Sequence, residues 1–71
     1  MKGAEFVRRV QQLGRDRRVP VRLVTRRGKG SHAMLFFGDR FTVVRNLKDE
    51  LKTGTFHGML KQLGLSADDL E

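Results

Sequence analysis

Apolar residues recur three or four positions apart at both ends of the chain, which is the spacing of one buried helix face. The first such segment predicts a helix over residues 3–17, whose apolar face is formed by Phe6, Val7, Val10 and Leu13. Gly14 weakens this helix near its end, and Pro20 cannot continue it. A second helix is predicted to open at Gly54–Thr55, and its apolar face is formed by Phe56, Met59, Leu60 and Leu63. Gly64 follows as the expected left-handed residue after this helix.

Between the two helices the pattern changes to the alternation of apolar and polar residues that half-buried strands show. Three strands are predicted, at residues 21–26 (VRLVTR), 31–37 (SHAMLFF) and 40–44 (RFTVV). Gly38–Asp39 predicts a two-residue hairpin turn between the second and third strands, because glycine adopts positive φ at no steric cost. Residues 45–53 are mostly polar and are interpreted as a loop. Ser66 with Asp69 predicts one final helical turn.

The predicted order of elements is a helix, three antiparallel strands and a second helix. Such a chain is expected to form a two-layer α+β domain, αβββα, in which both amphipathic helices cover one face of the three-stranded sheet. The other sheet face is then open to solvent, and the basic segment at residues 26–30 is expected on that face or at its rim. Neighbouring strand residues point to opposite faces, so either Phe36 or Phe37 is expected on the open side.

Length and composition exclude several classes of function. The 71 residues are expected to form a single domain over 1–71. A chain of this size buries only about 60% of its unfolded surface, which leaves no room for a large internal pocket. The sequence contains no cysteine and two histidines, so thiolate metal sites are excluded and no metal or other cofactor is expected. No apolar stretch approaches the roughly 18 residues that span a membrane, and residues 1–10 lack a hydrophobic signal core. We therefore expect a cytoplasmic protein without a membrane partner.

Charge is unevenly distributed along the chain. The net charge is +7, and the sequence pI is about 11.2. Residues 1–45 carry twelve lysine and arginine residues against three acidic residues, a net charge of +9, whereas residues 62–71 carry a net charge of −3. Ten of those twelve cations are arginine, whose planar guanidinium binds phosphate through two parallel hydrogen bonds. This favours contact with nucleic acid over the simpler interpretation of an arginine-rich solvated surface.

The segment RRGKGSHAML at residues 26–35 carries the candidate chemistry. His32 is either a structural residue at a strand end or a proton-transfer group beside a phosphate-binding loop. The nearby cations favour the second interpretation, because they disfavour the imidazolium and leave an imidazole that can accept a proton. A neutral base, cations and backbone donors are what cleavage of RNA through its 2′-hydroxyl requires when no metal ion takes part. The candidate RNA-binding residues of this segment are Arg26, Arg27, Gly28, Lys29, Gly30 and Ser31.

Three short motifs point to a known family. GKGSH before the second strand, ELKTGT before the last helix and MLKQLGL within it resemble, in this order and spacing, the HicA-type toxins of bacterial toxin–antitoxin pairs. The resemblance covers about residues 2–65 and includes the start MKGAEF. It implies a fold like that of double-stranded-RNA-binding domains and a type II toxin that acts on mRNA as a metal-independent endoribonuclease. It also implies that His32 is catalytic and that a HicB-type antitoxin binds and blocks the site. Lys52, within ELKTGT, is either a further phosphate contact or a solvated residue.

The chain departs from the HicA pattern after the third strand. Many members of that family carry proline-x-histidine there, whereas this chain has Val44, Arg45 and Asn46. Asn46 can form hydrogen bonds but cannot exchange a proton, so the general acid is left unassigned. The second histidine, His57, matches no motif and is expected to be a solvated residue on the last helix.

Two other functions remain open on the sequence. A non-catalytic RNA-binding module would use the same fold and the same cations without chemistry, and His32 is the feature that separates it from a nuclease. A small DNA-binding regulator is favoured least, because the sequence shows no obvious recognition helix.

Overall fold

The computed structural model describes residues 1–25, 32–45 and 47–70. Its elements follow the predicted order and confirm the αβββα arrangement. They are α1 (Gly3–Arg17), β1 (Val21–Thr25), β2 (Ala33–Phe37), β3 (Arg40–Val44), α2 (Thr53–Leu63) and a C-terminal 3₁₀ turn (Ala67–Leu70).

The three strands form an antiparallel sheet in the order β1-β2-β3, with β2 in the centre. Ala33 pairs with Thr25 on one side and with Val44 on the other, so all three strands stop along one line at this end of the sheet. The prediction that β2 includes His32 is wrong, because the ladder ends at this line and His32 directly precedes it. Arg26 and Ser31, the predicted ends of the first two strands, lie outside the described residues.

The turn before β3 and the end of α2 both match the sequence signals. Gly38–Asp39 joins β2 to β3, and Phe37 pairs with Arg40 across the turn. α2 begins one residue earlier than predicted and is followed by Gly64, which has a φ of +73°. Glycine adopts this conformation without the steric cost of a Cβ atom, and the predicted helix end is confirmed.

The hydrophobic core lies between the two helices and one face of the sheet. The ring of Phe6 on α1 is fully buried and meets Phe56 on α2 edge to face, with 5.9 Å between the ring centroids. The hydroxyl of Thr42, a buried polar residue of β3, donates to Oε1 of Gln62 on α2. The buried residues of the core are Phe6, Val7, Val10, Leu13, Leu35, Phe37, Val44, Met59, Leu60, Leu63 and Leu70.

The end of α1 packs closely against the start of β1. A Cβ atom on Gly14 would collide with the side chain of Val21 and come within 2.8 Å of the Val19 carbonyl oxygen. The Val19 amide in turn donates to the Gly14 carbonyl at 2.8 Å. The glycine that weakens the helix in the sequence is therefore the residue that lets the helix and the sheet approach.

The segment between β3 and α2, predicted as a polar loop, is attached to the start of α1. Lys2 precedes this helix and gives it no side-chain cap. Instead, the amide of Gly3 donates to the Asp49 carbonyl at 3.1 Å, and the amide of Ala4 donates to the Leu47 carbonyl at 2.9 Å. These bonds satisfy amides that a helix leaves without partners, and they hold the segment that leads into α2.

The C-terminal turn is attached to α1 through Asp69. The Ser66 amide donates to one carboxylate oxygen of Asp69 at 2.8 Å, as the Ser66–Asp69 spacing predicts, and Arg17 donates to the other oxygen at 2.5 Å. The hydrogen bond from Ser66, followed by that from Arg17, lowers the pKa of Asp69 below its ordinary value of 3.8. The ionised carboxylate is therefore the form that the folded chain favours.

Replacing Asp69 with asparagine should lower the melting temperature at neutral pH. The contribution of the carboxylate is complete above its ordinary pKa of 3.8 and is lost as the pH falls through the lower pKa of the folded state. The melting temperatures of the wild type and D69N, measured from pH 7 to pH 2, should therefore differ most at neutral pH and converge in acid. Asp68→Asn, at the neighbouring exposed carboxylate, is the control and should have the smaller effect. A gap that stays constant with pH would contradict the ionic role.

Candidate functional site

His32 lies at one end of the sheet, immediately before β2, and its side chain is exposed. Along β2 the buried positions are Ala33, Leu35 and Phe37, and the positions between them belong to the opposite face. His32 itself lies outside β2, and it is exposed where the next residue, Ala33, is buried. The candidate catalytic residue is therefore exposed at the end of the central strand.

The predicted basic loop begins and ends at this same end of the sheet. Thr25 and Ala33 are direct partners in the ladder, so the chain leaves β1 and enters β2 beside His32. The residues of the loop lie outside the described residues, and their role in binding RNA stays a prediction. They are Arg26, Arg27, Gly28, Lys29, Gly30 and Ser31, and the same holds for Asn46 after β3.

A cleft of about 310 Å³ next to this edge contains Lys52 and Arg45 among its lining residues. Arg45 directly follows Val44, the last residue of β3, and Val44 pairs with Ala33, the residue after His32. Lys52 is exposed just before α2. Two acidic residues, Asp49 and Glu50, also line the cleft, and the Glu50 carboxylate forms an ion pair with the N-terminal ammonium at 2.6 Å. The structure therefore places Arg45 at the sheet end next to which His32 lies, and Lys52 in the cleft that Arg45 lines.

Arg45 is a cation at this site that the motifs of the sequence do not indicate, because it enters them only as a departure from the family pattern after the third strand. The strand pattern alone would have indicated that Arg45 is exposed. Every second residue from Phe41 is exposed, and Arg45 follows Val43 in this series. His57, in contrast, is exposed on α2 as expected. The centroids of its ring and the Phe56 ring are 5.3 Å apart.

The uncovered sheet face carries two rows of side chains across the three strands. The row nearer His32 joins Val24, Met34 and Val43. The row farther from His32 joins Arg22, Phe36 and Phe41. These six residues are called the open face below.

The second row of the open face is held together by ring contacts. The guanidinium carbon of Arg22 lies 5.1 Å from the centroid of the Phe36 ring, within the range of a cation–π contact. The rings of Phe36 and Phe41 lie 5.8 Å apart and are tilted by 38°. Phe41 is 50% exposed. The prediction that either Phe36 or Phe37 lies on the open side is confirmed for Phe36, since Phe37 is buried in the core.

Neighbouring arginines shift the pKa of a carboxylate on α1 as well. Like the pKa of Asp69, the pKa of Glu5 is lowered, by a hydrogen bond from Arg9 and by the charge of Arg8.

The described residues include no group of three or more histidine, aspartate or glutamate side chains that could hold a metal ion. Of the helices the structure describes, none has the length and apolar character needed to cross a bilayer.

Comparison of the chain with protein-family models, with curated proteins and with solved structures finds no match in any of the three. The resemblance to HicA-type toxins therefore stays a prediction that depends on the motifs. A function for the chain must rest first on the chemistry of its own residues.

Proposed function

We propose that this protein is a metal-independent endoribonuclease that cleaves mRNA, acting as the toxin of a type II toxin–antitoxin pair in the bacterial cytoplasm. The observation that supports the proposal most directly is that His32 is exposed at the sheet end where Arg45 follows β3, and that Arg45 shares a cleft with Lys52. A net charge of +7 favours a polyanionic substrate. The resemblance to HicA-type toxins agrees with this assignment, and in that family the same histidine is the catalytic one.

In the proposed reaction His32 accepts the proton of a ribose 2′-hydroxyl. The 2′-oxygen then attacks the adjacent phosphorus, and the bond from phosphorus to the 5′-oxygen of the next nucleotide breaks. The products are a 2′,3′-cyclic phosphate and a 5′-hydroxyl, whose proton comes from a general acid that we leave unassigned. Cations at the sheet edge stabilise the negative charge that develops on the phosphate oxygens. The substrate must be RNA, because DNA lacks the attacking hydroxyl.

Cleavage of RNA by the purified protein should persist in EDTA and leave 2′,3′-cyclic phosphate or 3′-phosphate ends. The reason is that the proposed base is an imidazole and the proposed charge stabilisation comes from arginine and lysine side chains. The measurement is a digest of a labelled single-stranded RNA with and without EDTA, followed by analysis of the product ends. A magnesium requirement, or products with 3′-hydroxyl ends, would contradict the mechanism.

The partner expected from the family resemblance is a HicB-type antitoxin. An acidic protein placed over the His32 edge would exclude RNA and neutralise the cationic surface at the same time. The alternative of a non-catalytic RNA-binding module keeps the same surface but predicts no cleavage in the EDTA digest. That single result separates the two functions.

A further inference from the structure

We infer that the open face is a base-stacking platform for unpaired RNA, on which bases stack against Phe41 and against the Phe36–Arg22 pair. The inference rests on the proposed function, in that it takes RNA as the ligand and specifies the part of the RNA that is recognised. It assigns a role to residues that the proposed cleavage reaction does not use.

The open face exposes apolar side chains that neither helix covers. Phe41 is 50% exposed, Val43 41% and Val24 38%. Phe36 and Met34 complete the patch and are half-buried. Exposure of these side chains to water is unfavourable, and a ligand that covers them would remove this cost.

The composition of the patch favours nucleic-acid bases over an apolar protein surface. Bases stack on aromatic rings and on arginine guanidinium planes, and the Arg22–Phe36–Phe41 row presents both kinds of group side by side. None of the six residues of the open face is acidic. A ligand that combines flat rings with negative charge matches this row, whereas an apolar partner would not need the guanidinium.

Unpaired bases are the form of RNA that can use such a row. In a duplex the base faces are already stacked on each other, and proteins contact mainly the backbone and the groove edges. In a single strand the faces are free to stack on a protein ring. The platform therefore selects single-stranded regions of the substrate.

The open face extends along β2 toward the candidate catalytic residue. Phe36 and His32 are four residues apart along the direction of β2, a distance of about 13 Å at the usual rise of a strand. The row of Val24, Met34 and Val43 lies between them. An extended strand of a few nucleotides covers this distance. Bases on the platform would thus hold the RNA while a nearby linkage reaches His32 and Arg45.

The test uses the full chain with His32→Ala, so that RNA stays intact during binding. A fluorescein-labelled single-stranded RNA and the same sequence as a duplex are titrated in turn, with fluorescence anisotropy as the measurement. Phe41→Leu, which removes the ring and keeps an apolar side chain, should weaken single-strand binding by about 5- to 150-fold. Phe41→Trp, the matched variant with a ring, should retain the affinity. Duplex binding should be the same in both variants.

Two further measurements separate stacking from general loss of affinity. The dependence of binding on salt should be unchanged in F41L, because every cation that can pair with a phosphate is still present. A strand that carries 2-aminopurine should show fluorescence quenching on the protein with Phe41, and less quenching on saturated F41L. Melting curves show whether each variant remains folded.

Single-strand binding that is equal in folded F41L and in the Phe41 protein would overturn the platform, even if the wild type cleaves RNA as proposed. Light scattering that shows a dimer dependent on Phe41, with no effect on RNA affinity, would overturn it in favour of contact between two copies. Ring-dependent binding by a wild type that never cleaves RNA would support the platform and reject the nuclease. The two proposals can therefore fail separately.

Discussion

Replacing His32 with alanine should lower RNA cleavage by about 10²- to 10⁴-fold, which is the usual contribution of a positioned acid–base group. The affinity for RNA should change little, because the imidazole is proposed to transfer a proton and not to hold a phosphate. Cleavage is measured under single-turnover conditions, and affinity is measured by anisotropy on the same labelled strand. A variant that loses rate and keeps affinity supports a catalytic role for this side chain.

His57 provides the matched control for this substitution. It is the other histidine of the chain, it is also exposed, and it lies on α2 in the helical layer. His57→Ala should cleave RNA at the wild-type rate. If His32→Ala cleaves normally, or if His57→Ala causes the larger loss, the assignment of the proton-transfer group is wrong.

Substituting the loop cations should affect RNA binding more than cleavage, the opposite of His32→Ala. Arg26→Ala together with Arg27→Ala should weaken binding and reduce the salt slope, by roughly 0.7 for each phosphate of a single strand that an arginine no longer neutralises. Cleavage of bound RNA should fall less than in His32→Ala. The contrast between the two variants distinguishes groups that hold the phosphate backbone from the group that moves the proton.

The elements of this fold could be predicted from the sequence because their signals are local. Apolar residues at helical spacing predict α1 and α2, and Gly38–Asp39 predicts the hairpin and therefore the pairing of Phe37 with Arg40. What could not be predicted is the attachment of the segment before α2 to α1. That attachment depends on backbone bonds from Gly3 and Ala4 to residues more than forty positions away, and no local pattern encodes them.

The candidate site also combines features that local sequence signals predict with features that they do not. The place of His32 at the start of the central strand was predicted to within one residue, but the presence of Arg45 at the same sheet end requires the register of β2 and β3. The contact between Phe36 and Phe41 was within reach of the sequence, since a two-residue turn that pairs residues 37 and 40 also pairs 36 with 41. Arg22 could not be added in that way, because seven residues separate β1 from β2 and their sequence does not set the register.

Replacing Phe6 with alanine should cost about 3–5 kcal/mol of folding stability, the range for removal of a buried aromatic ring. A domain of this length has a total stability of only about 4–10 kcal/mol at the usual value per residue. Phe6 is fully buried and packs edge to face on Phe56, so its ring connects α1 to α2. The melting temperature should fall by at least about 12 °C in a thermal scan, and RNA binding and cleavage should be lost together on warming.

Phe41→Ala is the matched control for the Phe6 substitution. It removes the same number of atoms, but its ring is 50% exposed on the open face. Its contact with Phe36 contributes only about 0.5–1.5 kcal/mol, so the loss of stability should be smaller than in F6A. The chain should stay folded at the temperature at which F6A unfolds, and it should still lose affinity for single-stranded RNA. A large stability loss in F41A would mean that the open face belongs to the structural core. A small loss in F6A would mean that α1 and α2 do not depend on this ring contact. The opposite outcomes expected for the two phenylalanines follow from one fact of the fold, which is that both helices cover the same face of the sheet.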